Sequence, residues 1–281
     1  MALGYLDSQS LVNIADAIRT KAGSTATMSV ADMPTAIGSI GGVSSAKYNA
    51  LLNRKFETTS PSDEVEWGNQ NYIASYAFQN MKMVANSLFV IPAQITTINS
   101  DAFSNIQVNG ASSNQSCTLT IPSTVTNIGT TNCIRSSMAF GTINYFCTVS
   151  RPYYSHFNSY NYAQYINMAN ISEIDADSFS SCPYLVEIKV LDTLTKIFGN
   201  AIKNCQRLER IYLPSTLTEI RSNVATSGCP LLSEVHIAAT TPPTLASGCF
   251  TSNPTIYVPS AAVSTYQANA SWGQFTIVAE S

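Results

Sequence analysis

Histidine, cysteine and clustered carboxylates are the side chains through which this chain could do chemistry. The two histidines, His156 and His236, lie too far apart in sequence to form a metal-ligand pair on one helix. The seven cysteines lack the CxxC spacing of zinc sites and disulfide frameworks. We therefore expect reduced cysteines in the core, no metal and no cofactor.

Motifs of the common enzyme classes are also missing. The chain contains no GxSxG nucleophile elbow, no HExxH zinc motif, no phosphate-binding loop and no dinucleotide fingerprint. His236 stands between Val235 and Ile237, so strand alternation turns its side chain outward. The sequence predicts that the protein is not an enzyme.

A different kind of chemistry, recognition through aromatic side chains, is indicated between Gly129 and Asn170. Tyrosine offers a large amphipathic surface at low entropic cost, and serine and asparagine add adaptable hydrogen bonds. The candidate ligand-binding residues are Tyr153, Tyr154, His156, Phe157, Tyr160, Tyr162 and Tyr165. The pattern leaves one alternative open, a diverged pair of repeats whose aromatic side chains pack inward.

The elements that must position this segment are repeats, which are most regular from Ile171 to Ile237. One apolar pattern returns three times, with a spacing of 23 residues and of 24 across the last cysteine step. Its columns include Ile174, Ile197 and Ile220; Cys182, Cys205 and Cys229; and Ile188, Ile211 and Val235. Such a period indicates a solenoid of stacked units, each needing a neighbour to bury its apolar face. Each unit reads as strand, turn, strand and short helical turn, and the period is lost in residues 129–170.

The ends of the chain differ from the repeats. In residues 1–42, Leu11, Ile14 and Ile18 recur at helical spacing, and Met33 and Ile37 belong to a second helix. Two short helices are too small to form a core alone, so we expect this segment to be an anchor or oligomerisation segment. Gly41-Gly42 marks a boundary. The solenoid is predicted at 43–241, and a cap at 242–281 contains a helix near 261–269 followed by Trp272.

Composition excludes several classes of partner. The net charge is −3 and no basic run occurs, which argues against nucleic acid. No stretch reaches the ~20 apolar residues of a membrane span, and the first thirty residues do not read as a signal peptide. We expect no membrane insertion.

The repeat consensus, IPxxVTxIxxxAFxxCxxLxxIxLP, closely resembles the BspA-like leucine-rich repeats of bacterial surface antigens. It is carried by Ile121–Ile128, Ile171–Val190, Leu194–Leu213 and Leu217–Ile237. The resemblance implies an α/β repeat fold, a leucine-rich-repeat solenoid that is mostly β with short helical turns. The N-terminal LVNIADAIRTKAGSTATMSVADMPTAIGSI resembles a segment found on tail and baseplate proteins of phages of Gram-positive or gut bacteria.

Together the two resemblances imply a structural protein of a phage virion, in the tail, the baseplate or a fibre-like part. The N-terminal segment would bind other virion proteins, and the solenoid would display its surface to a host cell-surface glycan or protein. We expect a homo-oligomer that assembles in the host cytoplasm. Two alternatives remain: a bacterial cell-surface adhesin, and a capsid decoration protein without a receptor.

Overall fold

A computed structural model describes residues 71–108, 116–130, 133–134, 139–149, 157, 162–222 and 228–280. Several residues singled out from the sequence lie outside this part of the chain. They are the anchor residues Leu11, Ile14, Ile18, Met33 and Ile37, and the candidate binding residues Tyr153, Tyr154, His156 and Tyr160. Their predicted roles stay predictions.

The described chain is a succession of short strands. In chain order they are β1 (Tyr72–Ile73), β2 (Lys82–Met83), β3 (Leu88–Val90), β4 (Thr97–Ile98), β5 (Gln107–Val108), β6 (Cys117–Ile121), β7 (Asn127–Ile128), β8 (Phe140–Tyr145), β9 (Tyr165–Met168), β10 (Glu173–Ile174), β11 (Phe179–Ser180), β12 (Glu187–Val190), β13 (Lys196–Ile197), β14 (Ile202–Lys203), β15 (Arg210–Leu213), β16 (Glu219–Ile220), β17 (Glu234–Ile237), β18 (Thr244–Leu245), β19 (Thr255–Val258) and β20 (Ile277–Ala279).

Nine of these strands form one parallel sheet, in the order β3-β6-β8-β9-β12-β15-β17-β19-β20. Shorter strands form two further parallel sheets, β1-β4-β7 and β10-β13-β16-β18. The pairs β2-β5 and β11-β14 lie along the chain between the strands of these short sheets and those of the long sheet. The chain returns to the long sheet once per coil and moves one strand along it. This is the predicted solenoid.

Inward side chains of the long sheet form continuous columns through the stack. Ile166, Ile188, Ile211, Val235 and Ile256 are cross-strand neighbours, each at most 2% exposed. A second inward column follows two residues later, because strand alternation turns every other side chain to the same face. Each coil therefore buries its apolar residues against its two neighbours.

A tight turn precedes the cysteine column in each regular coil. Ser181 and Asn204 adopt left-handed backbone conformations there, with φ of 59° and 54°, and Gly228 has φ of 78°. A Cβ on Gly228 would lie 2.5 Å from Asn204 Oδ1 and 2.8 Å from Asn204 Cα, so this position requires glycine. Left-handed residues cannot continue a helix. The segment between β10 and β12 accordingly forms turns and the two-residue strand β11 rather than a helical turn.

The segment from 129 to 170 corrects an expectation, because its described strands keep the period. Thr142 on β8 pairs with Thr118 on β6 and with Tyr165 on β9. Hydrogen-bonded outward partners on these strands are 24 and 23 residues apart. The inward Ile143 and Ile166 preserve the apolar pattern, whereas the turn after β8 lacks the IPxxVTxI motif. The repeat was not recognised in the sequence because its recognition relied on the turn motif, which is missing after β8.

A helix follows the last regular coil, as the sequence predicted. The 3-10 turn Ser260–Ala262 leads into helix α1 (Val263–Ala268), and Tyr266 and Trp272 are fully buried. The Tyr266 hydroxyl donates to the Ala239 carbonyl at 2.9 Å, and Trp272 Nε1 donates to the Pro243 carbonyl at 2.8 Å. The two buried rings thus satisfy their polar atoms. Within the described ranges, no helix has the length and apolar character needed to cross a membrane.

The inward columns predict the stability of the stack. Ile211→Ala removes a side chain that is 2% exposed between Ile188 and Val235, so we expect it to lower the free energy of unfolding by about 2–5 kcal/mol. Ile211→Val, the matched control, is expected to cost about 0.5–1.5 kcal/mol. Urea denaturation followed by circular dichroism measures both. Equal losses for the two variants would contradict close packing in this column.

Candidate functional site

The outer face of the nine-stranded sheet carries the polar side chains of the long strands in aligned columns. One column runs through Tyr165, Glu187, Arg210, Glu234 and Thr255. The next runs through Asn144, Asn167, Lys189, Tyr212, His236 and Tyr257. Neighbouring members are held about 4.8 Å apart by the strand spacing. This face is the candidate recognition surface.

The N-terminal part of this surface is neutral and hydrogen-bonded. Asn144 Nδ2 donates to Thr120 Oγ1 at 3.0 Å, and Asn167 Nδ2 donates to Asn144 Oδ1 at 2.8 Å. These bonds fix the orientation of each amide, so the remaining donors and acceptors face outward in a set arrangement. Outward Thr118 and Thr142 continue the polar, uncharged character.

A tyrosine cluster borders the neutral part, and it contains two of the residues predicted to bind ligand. Tyr162 stacks on Tyr184 with ring centroids 5.2 Å apart and an angle of 24° between the rings. Tyr165 is 38% exposed and stands beside Glu187 across the pair β9–β12. Tyr162 is half-buried. Tyr162 and Tyr165 lie on one coil, and Tyr184 lies on the next. Tyr184 was not singled out from the sequence.

Phe157, in contrast, lies in the core and is not a surface residue. Its side chain is fully buried, stacked on Phe179 at a centroid distance of 5.2 Å and edge-on to Tyr145 at 5.2 Å. The Phe157 carbonyl accepts a hydrogen bond from Cys182 Sγ. The prediction that Phe157 contacts a ligand is therefore wrong. Phe157 and Tyr145 pack inward, as expected for a diverged pair of repeats.

The C-terminal part of the surface is aromatic and charged. The Tyr212 and His236 rings stack at 4.2 Å and 15°, and the His236 and Tyr257 rings at 4.5 Å and 9°. The Lys189 ammonium lies 5.4 Å from the centre of the Tyr212 ring. Neighbouring rings cover one another's faces, so this aromatic row offers mainly ring edges and polar tips to solvent. The sequence predicted that His236 faces outward but did not reveal the aromatic row. Its signal was the presence of aromatic side chains at the same outward position of consecutive repeats.

Ion pairs cross the coils on the same surface. Arg210 Nε lies 3.0 Å from Glu187 Oε2, and Arg210 Nη1 lies 3.0 Å from Glu209 Oε2. The hydrogen bond to Glu187 raises the pKa of the Arg210 guanidinium. His236 Nδ1 is 2.9 Å from Glu280 Oε2, and its Nε2 is 3.4 Å from Glu234 Oε2. The outer face is thus preorganised by contacts between consecutive coils.

A groove of 370 Å³ lies where the strands β12, β15 and β17 leave the sheet. Its polar lining comes from Lys189, Tyr212, His236 and Glu280, and its apolar lining includes Leu191 and Ala238. The chain turns away from the sheet here at Pro214 and Pro259, which cannot donate a backbone hydrogen bond. The groove is thus lined by both polar and apolar side chains.

The cysteines belong to the interior and have the properties of packing residues. All seven are free and buried, which confirms the expectation of reduced core thiols. Cys205 Sγ donates to the Phe179 carbonyl at 2.9 Å, and Cys133 Sγ donates to the Asn99 carbonyl at 3.0 Å. Burial raises the pKa of the Cys133 and Cys147 thiols to about 12. Thiols held in the neutral form are poor nucleophiles and poor metal ligands. Within the part of the chain that the structure describes, no group of three or more His, Cys, Asp and Glu side chains is arranged to hold a metal ion.

This architecture, a parallel solenoid whose coils share aligned isoleucine, leucine and cysteine columns, defines a leucine-rich-repeat protein. The chain matches the family model of the BspA type leucine rich repeat region in six copies, over residues 71–206, 110–232 and 150–258. It belongs to this family. The match does not include residues 1–70, and comparison with curated proteins gives no match.

The buried thiols predict a loss of stability at alkaline pH. Folding raises the pKa of Cys133 from 9.0 to about 12. The stability that the neutral thiol adds to the folded state is therefore complete below pH 9 and is lost as the pH rises toward 12. The difference in unfolding free energy between wild type and Cys133→Ala should therefore narrow over that range. Urea titrations of both proteins at several pH values measure it. A constant difference would show that the Cys133 thiol ionises equally in both states.

Proposed function

We propose that this protein is a non-enzymatic recognition protein that binds a host cell-surface glycan or protein and belongs to a phage virion. The observation that carries the proposal is the set of aligned outer columns, in which hydrogen bonds, ion pairs and ring stacking hold outward, half-buried side chains in place. A surface already ordered before binding loses less conformational entropy when it meets a ligand.

The tyrosine cluster and the neutral amide ladder form the proposed binding region. Tyr165 presents an exposed ring, and the Asn144 and Asn167 amides lie on the same face within two coils of it. Aromatic rings beside amide and hydroxyl groups suit the apolar faces and hydroxyls of a sugar, and equally the side chains of a protein. Tyr153, Tyr154, His156 and Tyr160, which lie outside the described residues, remain candidate binding residues from the sequence.

The virion setting rests on the resemblance of residues 11–40 to phage tail and baseplate proteins. In this proposal, residues 1–42 attach the protein to other virion proteins as a homo-oligomer in the tail or baseplate, and the solenoid faces the host. A bacterial surface adhesin is the principal alternative, which the family's resemblance to surface antigens favours. A decoration protein without a receptor is the third.

Loss of the exposed ring tests the binding role. Tyr165→Ala combined with Tyr162→Ala should weaken binding of the purified protein to intact host bacteria by about tenfold, the effect of losing about 1.4 kcal/mol of contact. Tyr72→Ala is the matched control, since Tyr72 is 39% exposed but lies on a different sheet. Flow cytometry of labelled protein on Gram-positive and gut bacteria measures binding. Equal binding by both variants, with unchanged circular dichroism, would refute the assignment.

Deletion of residues 1–42 tests the virion setting separately. The shortened protein should keep the circular dichroism spectrum and cooperative unfolding of the solenoid, since the described core consists of residues beyond position 70. In particles assembled with it, western blotting should detect no solenoid, whereas the full-length protein should be incorporated. Incorporation of the shortened protein would place the attachment elsewhere. Absence of the full-length protein from particles, with retained cell binding, would favour the adhesin.

A further inference from the structure

The groove beside the aromatic row is separate from the tyrosine cluster. Its lining comes from β12, β15 and β17, from the chain just after them, and from Pro259 and Glu280, which follow β19 and β20, whereas the tyrosine cluster lies near the start of β9 and β12. Leu191, 48% exposed, and Ala238 supply its exposed apolar surface. The Leu191 side chain does not pack into the core of the sheet. Covering a large exposed aliphatic side chain of this kind lowers the free energy.

The two ends of the groove carry opposite charges. At one end, the Lys189 ammonium contacts the Tyr212 ring and forms no ion pair with a carboxylate among the described residues. At the other end, both oxygens of Glu280 lie within 3.0 Å of His236 Nδ1. The imidazole holds the Glu280 carboxylate beside β17. A ligand that complements this groove therefore has an anionic end and a cationic end.

The size of the site sets the distance between those ligand charges. Lys189 and Glu280 belong to β12 and to the residue after β20, four strand spacings apart. Their charged ends are closer than that, because Lys189 Nζ lies 5.4 Å from the centre of the Tyr212 ring, which is 4.2 Å from the centre of the His236 ring, and Glu280 Oε2 lies 2.9 Å from His236 Nδ1. The ammonium and the carboxylate are therefore at most about 14 Å apart, the length of about four residues of extended polypeptide.

The geometry of the groove favours a peptide bound through its side chains over a sugar or an added β-strand. The faces of the Tyr212 and His236 rings are occupied by their neighbours, so a sugar ring finds no open aromatic face to stack on. The backbone N–H groups of Leu191, Ala238 and Glu280 already donate to carbonyls of the preceding coil, which prevents pairing of a ligand as an added strand. Recognition must come from side chains, through apolar contacts between two charged contacts.

We infer that this groove binds an extended peptide segment of a partner protein. The segment carries an acidic residue that pairs with Lys189 and, three or four positions away, a basic residue that pairs with Glu280. Apolar side chains between them cover Leu191 and Ala238. This site adds to the cell-surface binding proposed for the tyrosine cluster and does not depend on it.

Selection from a random dodecapeptide display library on the immobilised full-length protein tests the inference. Recovered peptides should carry acidic and basic residues three or four positions apart, with apolar residues between them. Fluorescence anisotropy of synthetic copies should show binding at least tenfold weaker to Lys189→Glu than to wild type. Arg207→Glu, an equal change of charge on an exposed turn residue away from the groove, should bind as wild type does.

Exchange of charges makes the test specific. A recovered peptide with its acidic residue replaced by Lys should lose binding to wild type and regain it with Lys189→Glu. Leu191→Ser is a second variant that should weaken binding without altering a charge, and circular dichroism verifies the fold of each. Tyr165→Ala should leave peptide binding unchanged, so the two sites succeed or fail independently.

Three outcomes would overturn the inference. Failure to recover any peptide, recovery of peptides without the charge spacing, or equal affinity for wild type and Lys189→Glu would each show that the groove is not a peptide site. An oligosaccharide whose binding is abolished by Lys189→Glu would instead assign the groove to a glycan.

Discussion

Burial of one coil's apolar residues by the next coil is the constraint on which this structure depends. A single coil holds only a few inward side chains, and a strand of four residues has no stability alone. Stacking places Ile188 against Ile166 on one side and Ile211 on the other, so each isoleucine completes the core of two neighbours. The backbone hydrogen bonds of the parallel sheet then form in the register that these contacts select.

The same register orders the outer face. If Ile188 and Ile211 are aligned, then Lys189 and Tyr212 must also be aligned, because they follow directly along the strands. Outward residues therefore meet residues at the same position of adjacent coils. The amide ladder, the stacked rings and the Glu187–Arg210 pair are three forms of this one neighbour relationship. The inward columns, and not the residues of this face, carry the packing that holds the fold together.

The interior and the outer face also differ in chemistry. Potential nucleophiles in the interior are withdrawn from water, and burial keeps thiols such as Cys133 and Cys147 neutral. On the surface, ion pairs such as Glu187–Arg210 cross between coils, and the Asn144 and Asn167 amides bond to side chains of the preceding coil. A division of this kind suits a scaffold for binding, in which reactive groups would be a liability and fixed polar groups an advantage.

The sequence alone determined the solenoid, its inward columns, the buried free cysteines and the helix near the C-terminus, because those features arise from apolar residues at a fixed period. It also turned His236 outward by strand alternation. The tertiary structure decided which aromatic residues are exposed: Phe157 packs inward between Tyr145 and Phe179, whereas Tyr165 faces out. It also brought Lys189, Tyr212, His236 and Glu280 to one groove. Composition cannot reveal either result, because the inward or outward direction of a side chain in an irregular repeat depends on the register imposed by neighbouring coils.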